Sequence, residues 1–159
     1  MRKSTLVLAT VLAALALAAA LFLICGTLRA EVTVTAASAA DYPAIWSEIE
    51  RAMAADAVAQ AFSEPLPQDP AACRLEDVTI TFFNPGLIPA EWVSVSTSGA
   101  PGDVAVYSVA NEGADVPGRG TASVSLKMIA RADGTGERAY RAQYYVFGLK
   151  RSITVKAGQ

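Results

Sequence analysis

Between Lys3 and Arg29 the chain carries no charge, and Leu6–Leu28 reads LVLATVLAALALAAALFLICGTL. As a single helix rising 1.5 Å per residue, that run is roughly 35 Å long, against a hydrocarbon core about 30 Å thick. Read alone, it predicts a transmembrane signal anchor over 6–28. Arg2 and Lys3 precede the run, while Arg29 follows it and is soon offset by Glu31. The positive-inside tendency then predicts a single-pass protein of the cell membrane, with residues 1–5 cytoplasmic and the C-terminal body outside.

A cleaved signal peptide is the alternative, and it would make the remainder a secreted binding domain. Such peptides have an apolar core of about 7–15 residues, shorter than this one. Ala30 would suit one position of a small-x-small cleavage site, but Leu28 occupies the other. Lipid attachment at Cys25 is rejected, because Ile24 stands where Gly, Ala or Ser is needed. A pilin-like filament subunit is a further alternative, with the apolar helix packed in a filament core. The lack of any acidic residue before Glu31 counts against it.

The remainder, from Arg29 on, has the size of one domain. Its one cysteine is Cys73, and its nearest candidate partner, Cys25, lies in the apolar run. An intramolecular disulfide is therefore not expected, and stability must come from buried apolar surface.

Period 3.6 comes first. Tyr42, Ile45, Trp46, Ile49 and Met53 share one helical face over about 42–62, with Asp41 as N-cap, Pro43 in the first turn and Pro65 as the stop. Together, 29–72 read as a connector or short strand, this amphipathic helix and a Pro-rich linker. Beyond Cys73 the period becomes 2. Val78, Ile80 and Phe82 alternate with Thr79 and Thr81. Val124, Leu126 and Met128 alternate with Ser123, Ser125 and Lys127, and Tyr140, Ala142, Tyr144 and Val146 with Arg141, Gln143 and Tyr145. Short strands separated by Gly/Pro turns predict a mainly β chain, with an antiparallel Ig-like β-sandwich over 73–159.

Phe83-Asn84-Pro85-Gly86, followed by Val116-Pro117-Gly118-Arg119-Gly120 leading into Thr121–Leu126, resembles the bacterial cell-adhesion-related Ig-like domains. The resemblance implies a sandwich that spaces or displays other modules at a cell surface, and it implies no catalytic residues. No Cys…Trp…Cys signature is present, so antibody-type kinship is not expected.

The chain contains no histidine, which removes Ser-His-Asp and Cys-His nucleophile systems and the usual His-bearing metal sites. There is no P-loop and no dinucleotide fingerprint. Asp103, Glu112 and Asp115 match no calcium loop, and with Glu91 they are the acids available for carboxylate catalysis, which is not expected. The reading is therefore a non-catalytic module for protein–protein interaction or cell-envelope structure, with no cofactor, no metal and an unidentified protein partner.

Acids concentrate over 41–77, and bases over 119–159 beside Tyr140, Tyr144, Tyr145 and Phe147. With a net charge of -2, nucleic-acid binding is not expected, and the acidic segment is expected to lie against the basic one. Trp92, Tyr107, Arg119 and Tyr145 are the candidate interaction residues, because aromatics and arginine concentrate binding energy at interfaces. Trp92 is expected either to face outward or to lie under the helix.

Overall fold

The computed structural model describes residues 2–157; in the first helix, side chains are described for 7–20. In chain order the elements are α1 (Arg2–Cys25), β1 (Arg29–Ser38), α2 (Pro43–Ala54), β2 (Gln60–Ala61), β3 (Cys73–Phe83), β4 (Ala90–Thr97), β5 (Asp103–Ala110), β6 (Ala114–Val116), β7 (Thr121–Arg131), β8 (Ala139–Val146) and β9 (Leu149–Lys156). The chain is mainly β, in two antiparallel sheets. Sheet 1 runs β1-β3-β7-β5-β2, and sheet 2 runs β6-β4-β8-β9.

Alternation along the strands builds the core. Val78, Ile80 and Phe82 of β3 and Val124, Leu126 and Met128 of β7 face Val93 and Val95 of β4 and Tyr140, Ala142 and Tyr144 of β8 in one buried cluster. Burying a side chain of this size contributes about 1.5–3 kcal/mol. The opposite side of sheet 1 carries a second cluster, in which Trp46 and Ile49 of α2 pack on Cys73, Leu75, Val104 and Ile129. One helix therefore covers part of the outer face of sheet 1.

The transmembrane expectation is corrected. Among the described residues no helix is long and apolar enough to cross a membrane, which overturns the signal anchor at 6–28 and the single-pass, cell-membrane placement drawn from it. The run is not one element. α1 ends at Cys25, Gly26 turns the backbone at φ 46, and Leu28 is only 4% exposed within the core shared by the two sheets. The side chain of Cys25 lies outside the described residues.

Two other boundaries differ from the sequence reading. β1 pairs with β3 along its whole length, from Arg29 opposite Phe83 to Ser38 opposite Arg74, so the connector is an edge strand. α2 stops at Ala54, well short of Phe62. Asp56 takes φ 51 and the chain turns back, so that Gln60 pairs with Val106. The N-cap is Tyr42 with no side-chain bond, while Asp41 belongs to a short 3-10 turn before it.

The two glycine-containing turns form one clasp. Asn84 is buried, and its amide donates to Ile88 O at 2.8 Å and Val116 O at 3.2 Å. Its Oδ1 accepts from Gly86 N at 2.9 Å. A Cβ on Gly118 would lie 2.2 Å from Leu87 O, a separation only glycine permits.

Candidate interaction surface

The four residues singled out from sequence do not form one cluster. Tyr107 lies on the outer face of sheet 1, half-buried in a groove of about 330 Å³ with Tyr42, Ile45, Asp77 and Lys127. Its hydroxyl pKa is raised by burial first, then by Asp77 and Glu48. Arg119 is exposed in the β6–β7 turn at φ 55, and its N–H donates to Gly86 O at 2.8 Å.

Trp92 and Tyr145 both lie on sheet 2, on the neighbouring strands β4 and β8. Glu91 pairs with Tyr145, and the register then slips before Ser94 pairs with Gln143. That slip is a β-bulge. It leaves both Glu91 and Trp92 exposed between the buried Ala90 and Val93, where strict alternation would have turned one of them inward. Trp92 sits at φ 54 and is 67% exposed. Its N–H donates to Asp115 Oδ1 at 2.9 Å, and its indole lies against Gly113. The helix does not cover it, because α2 packs on the other sheet.

From there the outer face of sheet 2 continues through Ser94, Ser96, Gln143 and Tyr145 to Ser152 and Thr154. Arg141 and Lys150 stand exposed on its β8–β9 half, and Lys150 pairs across the strands with Tyr145. This polar, aromatic face carries no packed helix among the described residues.

The carboxylates considered for catalysis or calcium do not all converge: Glu91 lies at the bulge opposite Asp115, but Asp103 stands apart. Asp103 begins β5 while Glu112 and Asp115 lie beyond its far end. No cluster of metal-ligating residues occurs among the described residues. Asp103 instead belongs to a buried ion network that the sequence reading missed. Arg138, just before β8, donates from Nε to Asp103 Oδ1 and Oδ2 at 2.9 and 2.8 Å, and from a terminal nitrogen to Glu76 of β3. Arg74 also pairs with Glu76. The network ties the two sheets at one end, and its partners hold the Arg138 guanidinium pKa above the ordinary value against the opposing effect of burial.

Glu76 with Arg138 is thus one contact between the acidic and basic segments. The acids of α2, however, lie on sheet 1, away from the basic strands β8 and β9. Cys73 is buried and unbonded, with its thiol pKa raised chiefly by burial.

No family model matches this chain, and no curated protein matches it. Among solved structures, it is similar to the X-ray structure of Northeast Structural Genomics Consortium target SoR45. The two are 15% identical, with a TM-score of 0.42 over 83% of this chain and 86% of that one. At that level the likeness carries no argument about fold or function.

Proposed function

We propose that this chain is a non-catalytic interaction module of Ig-like type that binds a protein partner through the outer face of sheet 2. The observation that carries the reading is Trp92. A large ring held in water forgoes about 1.5–3 kcal/mol of burial, and a bulky residue with positive φ costs of order 1–3 kcal/mol. The bulge, the Asp115 bond and Gly113 fix it there. A partner that covers the ring recovers the burial without ordering a mobile side chain.

Strand order supports the Ig-like part of the reading. The orders β1-β3-β7-β5 and β9-β8-β4 follow the ABED and GFC sheets of constant-type immunoglobulin sandwiches. β2 and β6 are additional edge strands, and β6 follows β5 where a variable-type chain would place its extra strands earlier.

The test is a photo-crosslinking aromatic in place of Trp92 in the full chain, irradiated in its native cells. A discrete protein adduct at position 92, absent when the same group replaces exposed Phe83 on sheet 1, is expected. Equal or no adducts at both positions would overturn the reading.

A further inference from the structure

The outer face of sheet 1 carries a groove beside α2 that the interaction reading does not use. One part, of about 330 Å³, is lined by Ala36, Tyr42, Ile45, Leu75, Asp77 and Tyr107. The groove continues along the helix into a second part of about 240 Å³, where Glu48, Ile49, Ala52 and Ser108 join Ile45 and Tyr107. Lys127 lines both parts. The first part alone reaches the lower end of the range for small-molecule sites, about 300–1,000 Å³.

Its walls are apolar and aromatic, and its charged groups are few. Glu76 also lines the groove, but it is committed to Arg138 and Arg74. Asp77 and Glu48 form no ion pair among the described residues, although Asp77 stands across the strands from Lys127. Tyr107 is common to both parts, and the charges acting on its hydroxyl are those of Asp77 and Glu48, which push its pKa up as burial does. The potential at that hydroxyl is therefore negative.

We propose that this groove binds a small organic ammonium ion. Asp77 and Glu48 supply the counter-charge, Tyr42 and Tyr107 the aromatic surface, and Ile45 and Leu75 the apolar wall. Calcium is a poorer occupant, because it takes about 6–8 oxygen ligands and the groove offers two free carboxylates among apolar side chains. An ammonium with apolar substituents is attracted by tyrosine rings as well as by carboxylates. Lys127 is the opposing charge, and it gives the test a second sign. The groove lies on the sheet opposite Trp92, so the proposal does not depend on the sheet 2 reading.

Amide chemical shifts of the full chain, with α1 kept soluble in a non-ionic detergent, test this with three probes that share one ring: benzyltrimethylammonium, benzyl alcohol and benzoate. Benzyltrimethylammonium is expected to shift Ala36, Tyr107 and Ser108 saturably in the millimolar range, and the other two are expected not to. E48Q/D77N should weaken that binding about fivefold and K127M should tighten it about twofold, with the remaining amide shifts unchanged in both. Benzyl alcohol binding as well as the cation would overturn the proposal, leaving an apolar groove only. Preference for benzoate would also overturn it, as would the absence of a saturable shift or shifts confined to α1 or sheet 2. Tighter binding of Nα-acetyl-lysine methylamide would assign the ammonium to a partner protein's lysine and overturn the small-molecule assignment.

Discussion

The backbone N–H of Trp92 donates to Asp115 Oδ1 at 2.9 Å, so a residue of the short edge strand β6 sets the aim of the most exposed aromatic on sheet 2. The bond lies at an exposed site, where its loss costs on the order of 1 kcal/mol. D115A is expected to lower stability by about that amount, visible as a small shift in a urea midpoint. It is also expected to weaken partner capture through position 92, because the bulge is no longer held. D115A that leaves capture unchanged would show that the bulge needs no anchor.

Trp46 and Trp92 are the two tryptophans of the chain, one buried against sheet 1 and one exposed on sheet 2. W92F is expected to leave a blue-shifted emission that acrylamide barely quenches, whereas the native chain shows a quenchable, red-shifted component. Persistence of that component in W92F would mean that Trp46 is not packed as described.

The Arg138 network predicts an asymmetry. Replacing Arg138 by Met leaves Asp103 and Glu76 buried with their main cation gone, and breaking one side of a buried ionic set costs about 3–5 kcal/mol. Replacing exposed Lys156, which pairs with exposed Glu137, is expected to change stability by at most about 1 kcal/mol. Chemical denaturation of R138M and K156M compares the two directly.

Tyr140 gives the pH dependence a sign. Its hydroxyl is buried and has no hydrogen-bond partner of good geometry among the described residues, although the Arg138 guanidinium lies close enough to oppose the rise in pKa that burial imposes. The unfolded phenol ionises near pH 10, and the folded one only above that. Stability is therefore complete below about pH 10 and falls as pH rises past it. Y140F removes an unpaired buried hydroxyl, so it is expected to be at least as stable as the native chain at pH 8. It is also expected to lose less stability between pH 8 and 10.5, measured by urea denaturation at both values.

The clasp predicts that N84A loses about 3 kcal/mol, from three hydrogen bonds, two buried and one part-buried, at roughly 1 kcal/mol each. G118A is expected to lose at least as much, because Leu87 O leaves no room for a Cβ. Thermal midpoints of the two variants check this.

Where strand burial is regular, the sequence made it legible. Val78, Ile80 and Phe82, or Val124, Leu126 and Met128, announce both their strands and the face that turns inward. β1 was harder to read, because it is an edge strand in which only Val32 is buried and its small residues imitate a linker. The bulge at Trp92 was illegible, since a register slip depends on the partner strand and leaves no local signature. Glu76 and Arg138 lie 62 residues apart, and each sits among other charged residues, so each resembled ordinary surface charge. The apolar run misled for a different reason. Composition sets its hydropathy, but the turn at Gly26 and the demand of the core for Leu28 decide where its helix ends.

The most direct measurement is hydroxyl-radical footprinting of the chain in its native cells and after purification as dilute monomer. Engagement of the outer face of sheet 2 predicts that Trp92 and Tyr145 are oxidised in the monomer and protected in the cell, while exposed Phe83 on sheet 1 reacts alike in both. Equal oxidation of Trp92 and Tyr145 in the two states would contradict an interaction surface on that face.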